Sequence, residues 1–176
     1  MADIFINEKG YCFSAIQEGK FEISTINEQH TCEFIQAWLN GRNEFTVFTS
    51  GSTGKPKPIS ISRQQMILSA QKTGQFLKLK TGKTAFICLS TEHIAGKMML
   101  VRTLEIGLKA TVIDPCSNPY LKIQKSFDFI ALVPLQTQAI LADQTTSKLF
   151  FETKNIIIGG APLNSLLEKT LINSPN

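Results

Sequence analysis

The sequence predicts an α/β protein with a mostly parallel sheet flanked by helices. From residue 44 onward, short runs of β-branched and aromatic residues alternate with longer segments of helical spacing, an order typical of βαβ units. Most of these runs are apolar at nearly every position, as expected of strands that helices cover on both faces. No internal repeat or low-complexity linker interrupts the alternation.

The predicted elements follow one another at regular spacing. The predicted strands are EFTVFT (44–49), TAFICLS (84–90), ATVID (110–114), FDFIALV (127–133) and NIIIGG (155–160), with ISIS (59–62) as a short extended piece. The predicted helices are residues 63–77 after an N-cap at Ser62, residues 93–107 closed by Gly107, residues 134–142 opened by Pro134, and residues 161–172. Serine, glycine and proline favour those helix positions.

The first 43 residues have a different pattern. YCFSAI (11–16) and KFEIST (20–25) are short alternating pieces, and CEFIQAWLN (32–40) has helical spacing with Gly41 after it. We expect residues 1–43 to form a short N-terminal leader that packs on the core, and residues 44–176 to form the main domain.

Composition narrows the class of protein. Of 176 residues, 43% are hydrophobic and 18% are charged, as in a soluble protein with a real core. The formal charge is only +4 and no run of five basic residues occurs, so no nucleic-acid partner is predicted. MADIFINEKG carries acids where a signal peptide is cationic, and no apolar run approaches about 20 residues. We predict a cytoplasmic protein without a membrane partner.

The four cysteines do not indicate a metal site. Cys12, Cys32, Cys88 and Cys116 form no CxxC pair, and only two histidines accompany them. Buried free thiols are therefore favoured over zinc ligands, and no metal ligand is predicted.

A loop rich in glycine, serine and threonine, FTSGSTGKPKPI (48–59), has the composition of a phosphate site. Glycines let backbone N–H groups approach anionic oxygens, hydroxyls add donors, and lysine adds a compact charge. The string does not fit the Walker pattern, because Pro56 follows Gly54-Lys55, and GxGxxG is absent. An ordinary surface turn is the alternative for such a loop.

The full string TSGSTGKPK (49–57) resembles the phosphate-binding loop of the adenylate-forming superfamily, the acyl-CoA synthetases and their relatives. It matches [ST]-S-G-[ST]-T-G-x-P-K at every position. By this resemblance, the residues that hold the ATP phosphates are Thr49, Ser50, Gly51, Ser52, Thr53, Gly54 and Lys57. Lys55 stands at the variable position and is expected to be solvated.

Two further stretches are similar to the same family. LSTEHIAG (89–96) resembles its second motif with His93 and Gly96 in register, although Ser90 and Glu92 depart from the usual proline and aromatic residue. GGAPL (159–163) resembles the stretch that lines the adenine and acyl pocket. The implied pocket residues are His93, Gly96, Gly159, Gly160, Ala161 and Pro162. HIAGKMMLVRTLEIG and IIIGGAPL look most similar to the o-succinylbenzoate–CoA ligases of menaquinone synthesis.

The resemblance implies a two-step reaction with ATP, Mg²⁺ and coenzyme A. A carboxylic acid attacks the α-phosphate of ATP, and the acyl group of the resulting acyl-adenylate then passes to the thiol of coenzyme A. His93 is expected to be a wall of the acyl pocket, although a partly buried structural histidine is the alternative. A dicarboxylic acid needs a second cation, for which Arg102 and Lys97 are candidates. An ordinary surface arginine is the alternative for Arg102.

Later motifs of the family, including the small lysine-bearing C-terminal domain, are not found before Asn176. We therefore expect residues 44–176 to be a partial AMP-binding domain, and the chain to be an N-terminal piece of a ligase that is inactive alone. Homodimerisation or other self-association is expected from the exposed sheet edge. A stand-alone ATP- or phosphate-binding module without catalysis, and an interaction domain, are the alternatives.

Overall fold

A computed structural model of the protein describes residues 2–49 and 57–173. Only the backbone of residues 48 and 49 is described. The strands are β1 (Ile4–Ile6), β2 (Lys9–Tyr11), β3 (Glu44–Thr49), β4 (Lys57–Ser62), β5 (Thr84–Ile87), β6 (Lys109–Val112), β7 (Phe129–Leu132) and β8 (Ile156–Ile158). The helices are α1 (Phe13–Gln17), α2 (Ile26–Leu39), α3 (Arg63–Phe76), α4 (Ile94–Ile106), α5 (Pro134–Leu141), α6 (Gln144–Glu152) and α7 (Ser165–Ile172), with a 3-10 turn at Pro119–Leu121.

Six of these strands form one mixed sheet in the order β2-β1-β6-β5-β7-β8. Strands β1, β6, β5, β7 and β8 pair in parallel, and β2 pairs antiparallel with β1. The prediction of a mostly parallel sheet flanked by helices is therefore confirmed.

The sheet separates two apolar cores. On β5, Ala85 and Ile87 face the first core, which also holds buried residues of α2, α3 and α4. The alternate residues Phe86 and Cys88 face the second core, which holds buried residues of α5 and α6. Because successive side chains of a strand point to opposite faces, the helices lie in one layer on each side. This arrangement explains why Ala85, Phe86 and Ile87 are apolar in succession.

The strand EFTVFT forms as predicted, but the prediction that it belongs to the parallel sheet is wrong. β3 pairs antiparallel with β4, from Glu44 opposite Ser62 to Thr49 opposite Lys57, in a separate two-stranded sheet. The physical reason is the short connection, because parallel neighbours need a crossover of a dozen or more residues and antiparallel neighbours do not. The extended piece predicted at residues 59–62 is the second half of this hairpin.

The first 43 residues contribute directly to the main sheet. β1 pairs in parallel with β6, and Ile4 and Ile6 are almost fully buried. The helix predicted at residues 32–40 begins earlier, at Ile26, because Thr25 and Glu28 form a capping box. The alternating piece predicted at residues 11–16 is wrong, since α1 occupies most of it.

The local helix signals are confirmed where the sequence named them. The Ser62 hydroxyl accepts a hydrogen bond from the backbone of Gln65, Gly107 ends α4 with a left-handed φ of 76°, and Pro134 is the first residue of α5. Helix α6 was not predicted. No helix among the described residues is long and apolar enough to cross a membrane.

Candidate functional site

The segments that follow β5 and β8 lie at the same edge of the sheet, the edge formed by the carboxyl ends of the parallel strands. The motif with His93 and Gly96 follows β5, and the turn of residues 159–162 follows β8. β7 lies between the two strands, so their ends are about 10 Å apart. Ligands of open α/β sheets bind outside this edge, and the structure therefore brings the two predicted pocket segments to a suitable place.

His93 is the N-cap residue of α4 and is exposed. Its side chain makes no capping hydrogen bond, whereas its backbone N–H donates to the carbonyl of Ser90 at 3.2 Å. The preceding Thr91 is buried, and its hydroxyl lies 2.9 Å from that of Thr31 on α2. The imidazole is thus available to a ligand, while the backbone that carries it is fixed against α2.

Gly96 has a structural role that is independent of any ligand. A Cβ at this position would lie on the carbonyl oxygen of Ser90 and 2.9 Å from the Cα of Thr91. Real Cβ atoms do not approach backbone atoms so closely. The glycine therefore allows the first turn of α4 to pack directly on the segment that precedes it.

The turn after β8 offers its backbone to solvent. The Gly159 N–H donates to the carbonyl of Leu132 on β7 at 3.0 Å, and Gly160 has a φ of 87° that favours glycine. Gly160, Ala161 and Pro162 are exposed. A Cβ on Gly159 would meet no atom within 4 Å, so this glycine is not required by the packing of the described residues.

The predicted phosphate loop lies at the end of the β3–β4 hairpin. Ser50, Gly51, Ser52, Thr53 and Gly54 lie outside the described residues. Thr49 and Lys57, which flank the loop, are paired residues of the hairpin. The two ends of the nine-residue motif are therefore held next to each other, one strand apart.

An aromatic cluster fixes the base of this hairpin to α2. The ring of Phe45 on β3 lies 5.0 Å from that of Phe34 and 5.3 Å from that of Trp38. The guanidinium of Arg63 stacks over the Trp38 ring at 4.1 Å and donates to the Trp38 carbonyl at 2.6 Å. These contacts fix the described part of the hairpin against α2.

Arg102 and Lys97, the two candidates for a second carboxylate, do not lie on one face of α4. Five residues of helix separate them, a rotation of about 140°. Arg102 lies over the ring of Phe129 on β7, 5.9 Å from its centroid, and its Nε is buried without a partner among the described residues. Burial also lowers the pKa of Arg102. Lys97 instead donates to the Glu92 carbonyl at 2.6 Å, so the two cations cannot hold one carboxylate together.

Lys97 lines a cavity that the sequence did not predict. This cavity, the α2 groove, has a volume of about 510 Å³ and lies between α2, the β3–β4 hairpin and residues 91–97. Helix α2 contributes residues with the spacing i, i+3, i+4 and i+7, His30 being the first and Ala37 the last. That spacing is a signal in the sequence, but α2 was predicted to begin only at residue 32.

Comparisons with known proteins show what the chain is similar to. A family model described as "AMP-binding enzyme" matches residues 38–173. The chain is 28% identical over 153 residues to a 2-succinylbenzoate–CoA ligase of Haemophilus influenzae, covering 86% of this chain and 33% of the ligase. It is 24% identical over 180 residues to surfactin synthase subunit 1 of Bacillus subtilis, covering 97% of this chain and 5% of that protein.

The fold is similar to that of solved structures. An acyl-CoA synthetase (AMP-forming)/AMP-acid ligase II-like protein from Dyadobacter fermentans superposes with a TM-score of 0.82 and 38% identity, covering 90% of this chain and 46% of that one. The chain therefore spans a third of the Haemophilus ligase and less than half of the Dyadobacter protein. The range that the family model matches includes the hairpin, the start of α4 and the turn after β8.

Proposed function

Because the chain belongs to the AMP-binding enzyme family, we propose that it is the ATP-binding front part of an acid–CoA ligase. Such a ligase forms an acyl-adenylate from ATP and a carboxylic acid and then transfers the acyl group to coenzyme A. One observation carries the proposal: Thr49 and Lys57, the ends of the phosphate-loop motif, are paired across the hairpin. The two ends of the motif are thus held side by side, and a loop rich in glycine, serine and threonine can surround a phosphate with backbone and hydroxyl donors.

We propose that the ATP phosphates bind at this loop, to Thr49, Ser50, Gly51, Ser52, Thr53, Gly54 and Lys57. Attack on the α-phosphate places negative charge on the departing pyrophosphate, and fixed donors with one lysine would stabilise that charge. Within residues 2–49 and 57–173 no group of three or more His, Cys, Asp or Glu side chains could hold a metal ion. Mg²⁺ would come bound to the phosphates of ATP, as it commonly does.

The acid and the adenine would lie at the carboxyl edge of the sheet. We propose that His93 and Gly96 form one wall of this pocket and that Gly159, Gly160, Ala161 and Pro162 form the other. The two strands that precede these walls, β5 and β8, end about 10 Å apart. His93 is exposed and can contact a ligand, whereas Gly96 acts by placing α4 close to Ser90.

We further propose that the acid is a dicarboxylate such as 2-succinylbenzoate, on which the Haemophilus relative acts by its name. Arg102 supports this choice because its buried Nε has no partner among the described residues. A buried guanidinium is costly unless an anion accompanies it. Arg102 lies about 13 Å along α4 from His93, so the acid would extend from the edge along this helix.

The test compares two lysines of the same loop. Binding of MgATP to the 176-residue chain is measured by calorimetry for the wild type, for Lys57→Gln and for the matched control Lys55→Gln. We expect Lys57→Gln to weaken MgATP about tenfold, the effect of one charge-assisted hydrogen bond, and Lys55→Gln to change it less than about twofold. Equal affinities for the two variants, or no binding of MgATP by the wild type, would contradict the proposal.

A second measurement separates binding from catalysis. We expect no pyrophosphate release from MgATP and 2-succinylbenzoate by this chain alone, because the chain spans only 33% of the related ligase. Acid-dependent release of pyrophosphate would overturn the expectation of inactivity. It would leave the proposed reaction in place.

A further inference from the structure

The α2 groove differs from the proposed nucleotide and acid sites in its charges. Six ionisable residues line it: the acids are Glu33, Glu44 and Glu92, and the bases are His30, Arg42 and Lys97. Its volume of about 510 Å³ is within the range of small-molecule pockets. Neither Arg102 nor the turn of residues 159–162 lines the groove.

The charges around the groove do not neutralise one another. Within residues 2–49 and 57–173, no acid of the groove lies within 4 Å of a base as an ion pair. Glu33 instead accepts a hydrogen bond from Gln29 at 2.8 Å, and Glu44 accepts one from Ser60 at 3.3 Å. Opposite charges that share a cavity without pairing leave both an acceptor and a donor for a ligand.

Lys97 is the most constrained of these groups. It is half-buried, and its ammonium donates to one backbone carbonyl, that of Glu92. Burial is the main cause that lowers its pKa, and the charge of Glu92 opposes this only in part. An ammonium has three donors, so a carboxylate of a ligand could accept from Lys97 without displacing the bond to Glu92.

The floor of the groove is apolar. It is formed by Phe34 and Ala37 of α2 and by Phe45 of β3, and the rings of Phe34 and Phe45 lie 5.0 Å apart. Aromatic rings favour offset or tilted contact with a further ring. The apolar floor thus adds a third feature to the two signs of charge along the rim.

From this lining we propose that the α2 groove binds a small zwitterion with an apolar arm, such as an aromatic α-amino acid. The carboxylate of the ligand contacts Lys97, its ammonium contacts Glu33 and Glu92, and its apolar arm lies on the aromatic floor. A ligand in this position touches the hairpin that carries the phosphate loop and the segment that leads into α4, and it therefore ties these two segments together.

Three probes that differ only in charged groups test the proposal. L-phenylalanine carries both charges, 3-phenylpropionate lacks the ammonium, and phenethylamine lacks the carboxylate. Each is titrated into the ¹⁵N-labelled chain without nucleotide, and amide shifts are followed at Thr46, Thr91 and Lys97. We expect L-phenylalanine to bind at least about tenfold more tightly than either analogue, since it gains a second charge-assisted contact.

Every other result overturns the proposal. If 3-phenylpropionate binds as tightly as L-phenylalanine, the groove is a simple anion site. If phenethylamine binds as tightly, the groove is a simple cation site. If no probe shifts the amide signals, the groove is not a binding site for these ligands. Because nucleotide is absent, a failure here is distinct from a failure of MgATP binding.

Two variants assign the contacts. Lys97→Gln should reduce the affinity for L-phenylalanine to that of phenethylamine, and Glu33→Gln should reduce it toward that of 3-phenylpropionate. The exposed Lys109 on β6 serves as the matched control, and Lys109→Gln should leave the affinity unchanged. Thermal unfolding of each variant verifies that it is folded. An unchanged preference for L-phenylalanine in Lys97→Gln contradicts the assigned contact.

Discussion

Gly96, in the first turn of α4, lies against the backbone carbonyl of Ser90 with no space for a side chain between them. Ser90 precedes the buried Thr91, whose backbone N–H donates to the side chain of Asn27 on α2 at 3.1 Å. The start of α4 is therefore packed on a segment that cannot retreat, because α2 holds it from the other side. This glycine belongs to the predicted pocket motif, but its environment alone explains why no larger residue fits.

We predict that Gly96→Ala destabilises the chain by roughly 1–3 kcal/mol, the range found when a well-packed site is overfilled. The added methyl would meet backbone atoms, which cannot move aside like the end of a flexible side chain. Thermal unfolding followed by circular dichroism measures the effect, and a fall in Tm of several degrees is expected.

Gly159→Ala is the matched control in the other pocket segment. A Cβ there meets no atom within 4 Å, and glycine-to-alanine changes in open positions are neutral or slightly stabilising. If the Tm values of Gly96→Ala and Gly159→Ala differed by less than about one degree, the prediction would be wrong. Such a result would mean that α4 can shift to make room for the added methyl group.

A second prediction concerns Arg102, a half-buried residue whose Nε is buried. Its Nε has no partner among the described residues, so replacing it with an apolar side chain of similar length removes a desolvation cost. We expect Arg102→Met to raise the free energy of unfolding by about 1 kcal/mol, as measured by urea denaturation. Binding of 2-succinylbenzoate should weaken in the same variant, because the guanidinium is the proposed partner of its second carboxylate.

Arg63→Met is the control with a satisfied guanidinium. Arg63 donates to the Trp38 carbonyl at 2.6 Å and stacks over its ring. Its replacement should therefore lower the free energy of unfolding by about 1–2 kcal/mol. If both variants lost stability equally, Arg102 would be a structural residue and its proposed contact with the acid would lose its support.

The sequence predicted the layers of the fold because the central strands of the sheet carry apolar residues on both faces. FDFIALV is such a run, and its residues divide between the two cores as successive side chains must. Which strands pair with each other was harder to predict, because β3 has the same residue types as the strands of the central sheet. Only the short return through β4 distinguishes it, and propensity does not report strand partners.

The candidate site was predicted in part for the same reason. Motif strings located His93 and the turn after β8 at the carboxyl edge, since both directly follow a strand. The α2 groove could not be predicted in this way, because its walls come from three segments far apart in the sequence. His30, Thr46 and Lys97 meet only through tertiary packing, which no local pattern encodes.

The four thiols should differ in reactivity according to burial. Cys12 is exposed, Cys116 is partly exposed, and Cys32 and Cys88 are buried. Burial, followed by the charges of Glu28 and Glu33, raises the pKa of Cys32 to about 11, and burial also raises the pKa of Cys88. Because the thiolate is the reactive form, we predict fast labelling of Cys12 by a disulfide reagent, slower labelling of Cys116, and labelling of the other two only after unfolding.

Cys12→Ser should remove the fast phase of this reaction and leave the slow phase unchanged. Labelling is measured by absorbance with and without denaturant. Fast labelling of Cys88 in the native chain would indicate that the second core opens on the timescale of the reaction.

The last prediction concerns the dependence of stability on pH, which we attribute to Asp128. This carboxylate, at the amino end of β7, accepts hydrogen bonds from Lys154 at 2.8 Å, from the backbone N–H of Thr84 at 2.9 Å and from Lys83 at 3.4 Å. The contact with Lys154, followed by that with Thr84, lowers the pKa of Asp128 well below its usual range. The side chain of Asp128 is 15% exposed and that of Lys154 is 66% exposed, so solvent weakens the ion pair between them.

A carboxylate whose pKa is lower in the folded than in the unfolded chain binds its proton more weakly when folded. Its contribution to stability is therefore complete above the unfolded pKa of about 3.9 and is lost as the pH falls from about 5 toward the folded pKa. We predict that Asp128→Asn lowers the free energy of unfolding by about 1–2 kcal/mol at neutral pH, and that the deficit shrinks in acid. Urea denaturation at stepped pH measures both quantities.

Glu152→Gln, which changes an exposed carboxylate of α6, should shift the whole curve by less than about 0.5 kcal/mol. Protonation in acid removes the charge of Asp128 but not its shape. If the difference in free energy of unfolding between the wild type and Asp128→Asn were the same at every pH, the charge of Asp128 would not contribute to stability.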